Sequence, residues 1–275
     1  MIVAHIIGGL GNQMFMYAAG RAVALRRGVP LKLDLTHFGD YGLRRYELDC
    51  LNIDVREAAT ARELSQLAGF GNIYREPEYF RFDPRVLDLP APLYLRGYFQ
   101  SFKYLAGIET VLRREFTLKA LPTAQDQAVL DEIAATNAVM LHVRRGDYVS
   151  NPETLSVHGV CSLDYYRAAL AEIRRRVQDP TIFVFSDDIY WVQKHLRPDV
   201  PTIYVGHNRG DESFRDLRLM AACRHHIIAN SSFSWWGAWL AAHPQQVVIA
   251  PDRWMTRLYN LDDLLPPGWT RLPRD

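Results

Sequence analysis

Short apolar runs that read as buried strands recur along this chain, and a helical stretch separates most of them from the next. IVAHII, at 2–7, runs into Gly8, Gly9 and Gly11, and the stretch from Gln13 to Arg27 then carries Phe15, Ala18, Ala22 and Leu25 on one stripe. Gly28 and Pro30 stop that helix, and LKLDL at 31–35 reads as the next strand. Strand, glycine turn, helix, strand is the opening of a parallel α/β unit. From 138 the alternation resumes, with strands expected at 138–143, 181–186, 202–205, 225–230 and 246–250. Helices are expected at 163–177, 188–196, 212–222 and 234–242. The stretch 37–125 is less regular: it is rich in aromatics and prolines, and its spacing predicts a helix over 101–116. A polar run around 119–127, with Pro122, marks a boundary, so domains are expected at 1–125 and 126–275. The fold class that follows is α/β, with two facing Rossmann-like domains. In such sheets ligands bind beyond the carboxyl ends of the strands.

Composition narrows the function. A chain of 275 residues, 48% hydrophobic, can bury one large core or two smaller ones. Lys plus Arg is 32 and Asp plus Glu is 31, so the net charge of +1 gives no electrostatic case for a nucleic acid partner. The three cysteines, Cys50, Cys161 and Cys223, form no CxxC or Cys/His metal spacing, which points to a reducing compartment. The opening apolar run has no basic residues before it and is too short for a signal core, and no stretch reaches the roughly 20 apolar residues of a spanning helix. A cytoplasmic protein is expected, with peripheral contact at the inner face of a membrane compatible with that reading.

Four motifs fall at strand ends. HVRRGDY, 142–148, closes a buried strand with two adjacent arginines, Arg144 and Arg145. In a strand His142 and Arg144 share a face. Guanidinium groups there need an anion, and a diphosphate would satisfy them bidentately; surface pairing with Asp147 is the plainer alternative. FSDD, 185–188, offers Asp187 and Asp188, of which one can cap the following helix while the other accepts from a base edge. NSSFSWWGAWL, 230–240, sets Ser231 and Ser232 where a helix begins, a ready anion site or a plain cap. Its tryptophans, at helical spacing, are expected in the core. GGLGNQMF, 8–15, departs from the G-x-G-x-x-G dinucleotide fingerprint, and Asp34 is the only acidic residue that could follow it. Its glycines would let a sugar or phosphate approach, with Asn12 as the polar contact. His225, His226 and His243 lack carboxylate or cysteine partners at metal-ligand spacing, and no metal site is expected.

Taken together in this order, GGLGNQMF, HVRRGDY, FSDD and NSSFSWWGAWL resemble the bacterial α-1,2-fucosyltransferases of glycosyltransferase family eleven, over about residues 6–255. The resemblance implies a GT-B-like architecture and an inverting, metal-independent transfer of L-fucose from GDP-fucose to the 2-hydroxyl of a terminal galactoside. It implies no cofactor beyond that donor substrate. The acceptor would be a galactose-terminated oligosaccharide or a lipid-linked one, in surface polysaccharide such as O-antigen. Donor contacts carry over to His142 (guanine), Arg144 (β-phosphate), Asp187 with Asp188 beside it (guanine), Ser231 and Ser232 (phosphate), and Asn12. Arg145 joins Arg144 in stabilising the departing diphosphate. A general base is required, and Asp147, Glu153 and His158 all remain open, the last two on the segment 151–159 read as a loop. Three rival readings are another nucleotide sugar or acceptor hydroxyl, an NAD-dependent oxidoreductase on the glycine loop, and a non-catalytic nucleotide or glycan binder.

Overall fold

The computed structural model describes residues 1–40, 45–55, 57–69, 71–241 and 243–275, the side chains of Asp40 and Asp147 excepted. The chain divides into two compact units, Met1–Lys119 with Asp262–Pro266, and Ala120–Leu261 with Pro267–Asp275. The division falls at 119/120, within the polar run, and a short C-terminal segment returns to the first unit.

In the first unit the chain runs β1 (Ile2–His5), α1 (Leu10–Arg27), β2 (Leu31–Asp34), α2 (His37–Asp40), α3 (Ala61–Gly69), β3 (Ile73–Arg75), β4 (Leu93–Arg96) and α4 (Glu109–Glu115). The sheet is parallel, in the order β2-β1-β4-β3. Its α1-facing side is apolar and tight: a Cβ on Gly20 of α1 would lie 2.9 Å from Leu31 and 3.0 Å from Ala4. Gly28, at φ 62°, ends α1 in the left-handed conformation that glycine adopts at no steric cost. The helix expected over 101–116 is instead a 3-10 turn, Phe102–Leu105, and the separate α4. Gly107, at φ 82°, stands between them and breaks the register. The returning segment is tied in through Asp263, whose carboxylate accepts from Phe82 N at 2.7 Å and pairs with Lys103.

The second unit runs α5 (Ala124–Ala135), β5 (Asn137–Val143), α6 (Gly146–Ser150), α7 (Pro152–His158), α8 (Leu163–Arg176), β6 (Pro180–Ser186), α9 (Ile189–His195), β7 (Thr202–Val205), α10 (Asp216–Ala222), β8 (His225–Ile227), α11 (Ser232–Leu240), β9 (Val248–Pro251) and β10 (Thr270–Leu272). All its strands are parallel, in the order β10-β9-β8-β5-β6-β7. The chain therefore steps from β5 to β6 to β7 on one side and returns to β8 on the other, so the topological switch point lies between β5 and β8. Val139, Leu141, Ile182, Val184, Ile227 and Ile249 build the core beneath α8 and α9. Trp235 and Trp236 are fully buried, as expected of core tryptophans, and truncating either to Ala would cost about 3–5 kcal/mol. Each unit is a Rossmann-like parallel α/β sheet, the class expected from the sequence.

Candidate functional site

Three of the four motifs leave the carboxyl ends of three neighbouring strands of the second unit, β8, β5 and β6. The alternation of the chain alone does not imply this; the return to β8 does. The switch point between β5 and β8 is the place where a parallel sheet opens a crevice for ligands.

His142, in buried β5, is 5% exposed, and its Nδ1 has no hydrogen-bond partner among the described residues. Burial, and then the charge of Arg144, push its pKa down to about 3, so the imidazole is neutral. Phe233, in the first turn of α11, meets it edge-on at 6.5 Å between ring centroids. The neighbouring His226, in register with Met140 of β5, is also buried, but both its nitrogens are used: Nε2 lies 2.9 Å from Met220 O and Nδ1 2.9 Å from Gln246 Nε2. His226 is a satisfied core histidine. The orphaned nitrogen of His142, costing about 1–3 kcal/mol, calls for a partner that none of the described residues supplies.

Beyond β5 the two arginines are held by the acidic pair at the end of β6, and the side chain of Asp147, the plainer partner, lies outside the described residues. Arg144 meets Asp187 Oδ2 at 2.8 Å, and its guanidinium carbon lies 5.2 Å from the centre of the Tyr148 ring. Asp187 Oδ1 accepts from Arg145 N at 2.8 Å. Arg145 packs over Trp191 of α9, 3.6 Å from ring centre to guanidinium carbon, and its Nε lies 3.4 Å from Asp188 Oδ2. Asp188 is also the cap of α9, its Oδ1 accepting from Trp191 N at 3.2 Å. Gly146 belongs to the same construction, since a Cβ there would lie 2.5 Å from Asp187 Oδ2. Both guanidinium groups are thus oriented in advance at a strand end.

At the end of β8, Ser231 is the N-cap of α11, yet its side chain makes no capping bond. The first turn of α11 contains no acidic residue, and Ser232 begins the helix. Ser231 therefore does not cap α11 through its side chain, and no acid of that first turn faces the positive end of the helix. Asn230, buried at 1%, is not among the site residues expected from the sequence. Its Nδ2 donates to His158 O at 3.1 Å, Gly159 O at 3.3 Å and Trp254 O at 3.1 Å, fastening the end of α7 to the end of β8. Arg274 donates to the same His158 carbonyl at 3.0 Å. Asn230 sits inside the third motif, so its position carries the signal; Arg274 has none in sequence.

The loop expected at 151–159 is the helix α7, a correction with a local cause. Asn151 caps it, accepting from Glu153 N at 2.9 Å and Thr154 N at 3.1 Å, Pro152 takes the first turn, and Gly159 follows its end at φ 62°. The helix separates two candidate bases. Glu153 is exposed at its start. His158, at its end, stacks on Tyr148 with ring centroids 4.8 Å apart, which brings it to the ring that Arg144 also faces.

Asn12 belongs to the first unit. Its Oδ1 accepts from Gln100 Nε2 at 2.7 Å, joining the first turn of α1 to the loop after β4. The glycine loop is not an open phosphate cradle: Glu47 Oε2 accepts from Leu10 N at 3.0 Å, so a carboxylate already occupies the start of α1. Gln13, fully buried, laces the same turn by donating to Gly8 O at 2.7 Å and Arg45 O at 2.8 Å and accepting from Glu47 N at 2.9 Å. That arrangement removes the structural basis for a dinucleotide at this loop.

Among the described residues no group of three or more His, Cys, Asp or Glu side chains is placed to hold a metal ion, and no helix is long and apolar enough to cross a membrane.

The chain is 36% identical to an alpha-1,2-colitosyltransferase of Escherichia coli, over 100% of its own length and 99% of that protein's. It is 31% identical to the O-antigen biosynthesis glycosyltransferase WbnK of Escherichia coli, over 96% and 98%. Its fold is similar to that of the fucosyltransferase NodZ from Bradyrhizobium, with a TM-score of 0.53 at 16% identity, over 86% of this chain and 90% of that one. The family described as Glycosyl transferase family 11 matches residues 5–272, and the chain belongs to it.

Proposed function

We propose that the protein is an inverting α-1,2-glycosyltransferase that moves L-fucose from GDP-fucose to the 2-hydroxyl of a terminal galactoside, without a metal ion. The observation that carries this reading is the pair of arginines held at the end of β5, beside the start of α11 and the orphaned His142 nitrogen. The acceptor oxygen attacks the anomeric carbon as the bond to the β-phosphate oxygen breaks, and the diphosphate leaves with the electron pair. Negative charge grows on the diphosphate through an oxocarbenium-like state, and Arg144, Arg145, Ser231, Ser232 and the amides of α11 stabilise it. Donors fixed before the reaction need no reorganisation during it, so two guanidinium groups do the work that a divalent ion does elsewhere. Activity is therefore expected to persist in excess EDTA, and a loss reversed by added metal would refute this part.

His142 supplies a neutral imidazole nitrogen for the guanine, with Asp187 and Asp188 as the carboxylates beside it. The acceptor proton goes to a general base, with Asp147, Glu153 and His158 as candidates. Asn12, in the first unit, is the polar contact for the sugar. An O-antigen context follows the kind of relative matched, which supports a lipid-linked acceptor at the cytoplasmic face of the inner membrane.

A second donor is favoured by a specific observation, the 36% identity to a colitosyltransferase over the whole chain. Colitose is L-fucose without its 3-hydroxyl. The deciding experiment presents GDP-fucose and GDP-colitose, each with a β-galactoside, and determines the linkage formed by NMR. Transfer from GDP-fucose at the 2-hydroxyl supports the first reading, preference for GDP-colitose the second. GDP binding without transfer from either would leave a nucleotide-binding module.

A further inference from the structure

The two faces of the first unit's sheet differ. Leu31, Ala4 and Leu95 lie toward α1 or within the buried core. The alternate residues of β4 and β3 are Tyr94 and Arg96, and Ile73 and Arg75, and the register pairs Arg75 directly with Arg96. Both are exposed, at the carboxyl end of the sheet. Like charges set opposite one another on adjacent strands destabilise a sheet.

Neither arginine has an ion-pair partner among the described residues, although two carboxylates belong to the same end of the sheet. Asp34, at the end of β2, spends Oδ1 on Thr36 N (3.0 Å) and Thr36 Oγ1 (2.7 Å), and Oδ2 on the Tyr94 hydroxyl (2.7 Å). Glu76, next to Arg75, is turned into the following bend, where it accepts from Tyr98 N at 2.6 Å and Phe99 N at 3.1 Å. That bend is built around it: Phe99 is left-handed at φ 50°, and a Cβ on Gly97 would lie 2.3 Å from Glu76 Cβ. Several other arginines of this unit are met by acids, Arg21 by Glu115 at 2.7 Å, Arg26 by Asp88 at 2.9 Å and Arg85 by Asp83 at 2.8 Å, whereas among the described residues none of the other exposed arginines is set opposite a second one as Arg75 is opposite Arg96. The start of α1, a further place suited to an anion, is filled by Glu47. Beside Arg96, His5 stacks on Tyr94, with centroids 6.1 Å apart and planes 29° from parallel, an aromatic step next to the charges.

We propose that Arg75 and Arg96 form an anion-binding site that takes a negatively charged oxygen group of the acceptor, with the adjoining His5–Tyr94 stack bordering the sugar that carries it. This rests on the glycosyltransferase reading of the second unit. The shared chemistry is a planar or tetrahedral oxyanion, which paired guanidinium groups bind through parallel hydrogen bonds. It can come from the carboxylate of an acidic sugar residue or from the phosphate of a lipid carrier.

The test uses the full chain and three acceptors built on one β-galactoside: neutral, extended by a uronic acid, and carried on a phosphate ester. The readout is the ratio of kcat/KM for each anionic acceptor to that for the neutral one. Wild type should favour at least one anionic acceptor by about tenfold or more, the scale of one charge-assisted contact, and the preference should shrink with salt. Arg75→Gln with Arg96→Gln should return the ratio to near one, while Arg62→Gln, an exposed arginine of α3, leaves it unchanged. The uronic acid and phosphate arms identify the source of the anion. A wild-type ratio near one for both, or a double variant that keeps the wild-type ratio, overturns the proposal. Relieving two opposed like charges should not lower Tm, so a Tm fall with equal loss on all acceptors would show a structural role instead. Should no donor be transferred at all, titration of the anionic glycosides against wild type and double variant, followed by NMR, still decides the site independently of the transferase reading.

Discussion

Arg144 and Asp187 meet at 2.8 Å across the carboxyl ends of two neighbouring parallel strands, and the Asp187 oxygen that receives Arg144 is the one a side chain on Gly146 would strike, at 2.5 Å. Glycine at 146 is needed there for space, because the carboxylate fills the volume a Cβ would occupy. Gly146→Ala must therefore push Asp187 aside and release Arg144. The variant is expected to fold, with kcat/KM reduced by about tenfold or more, the scale of one misplaced charge-assisted bond. Steady-state kinetics beside a thermal melt separate the two effects, and unchanged kinetics would show that the pair does not orient Arg144 for catalysis.

Arg144 is expected to act through its fork. Arg144→Ala should abolish transfer and weaken GDP binding, since a charge-assisted phosphate contact contributes about 1.5–3 kcal/mol to binding and more in the transition state. Arg144→Lys should fail nearly as badly, because a point charge cannot hold Asp187 and a phosphate oxygen in the same geometry. Near-normal turnover in the lysine variant would sink the bidentate role.

Guanine selection is expected at the acidic pair. IDP lacks the exocyclic amine and should bind more weakly than GDP by about 1–3 kcal/mol, the scale of a bidentate base contact. Asp188 caps α9 and lies near Arg145, which leaves Asp187, already shared with Arg144, as the carboxylate to test. Asp187→Ala should erase most of the GDP preference in calorimetry. A mutant that still discriminates as strongly moves the reading of guanine to Asp188 or His142.

Glu76 makes the first unit sensitive to pH. Burial pushes its carboxyl up from 4.5 to about 7, against the pull of the Tyr98 and Phe99 amides. The folded state then holds a proton that the unfolded state has lost. Its contribution to stability is complete below about pH 4.5 and disappears as pH rises through about 7. Denaturant midpoints should fall between these limits in wild type, and Glu76→Gln should flatten that fall. Parallel curves for the two proteins would assign the slope to other groups.

Much of the fold is legible in the sequence because its strands are apolar runs punctuated by glycine and its long helices carry a stripe or a cap. β1, α1, β2, β5, α8, β6 and α11 are of this kind. β3 and β4 are three and four residues long and lie in an aromatic, proline-rich stretch with no clear period, so local sequence predicts neither. α7 is seven residues long and exposes most of its side chains, so periodicity misses it, although Asn151-Pro152 at its start and Gly159 past its end are its boundary signals. The candidate site residues are legible as motifs, but their partners are not. Arg144 and Arg145 find Asp187 and Asp188 because β5 and β6 are neighbours, and Ser231 approaches the same rim because β8 returns to the other side of β5. Strand order is decided by the packing of the whole sheet, which local sequence does not record.

The proposed transfer also needs a general base, and α7 ranks its candidates. Glu153 and His158 stand five positions apart on one helix, about 7.5 Å along its axis, so both cannot address the same hydroxyl. His158 stacks on Tyr148, the ring Arg144 also faces, and its backbone is fixed by Asn230 and Arg274 through the same carbonyl. Glu153 is exposed at the far end, its backbone amide bound to the Asn151 cap. An imidazole held beside Tyr148 and Arg144 suits proton transfer from an acceptor oxygen better than a solvated carboxylate one helix-length away. His158→Asn is therefore expected to lower turnover by about 10²-fold or more while GDP affinity holds, and Glu153→Gln to stay within a few-fold of wild type. Asp147→Asn completes the set: it follows Arg144 and Arg145 closely in sequence, so losing its charge should weaken GDP binding as well as turnover. The pH profile supplies a second readout, since removing the true base should abolish the acidic limb of kcat and removing a positioning group should leave that limb in place. Turnover within a few-fold of wild type in all three variants would place the base outside 147–158.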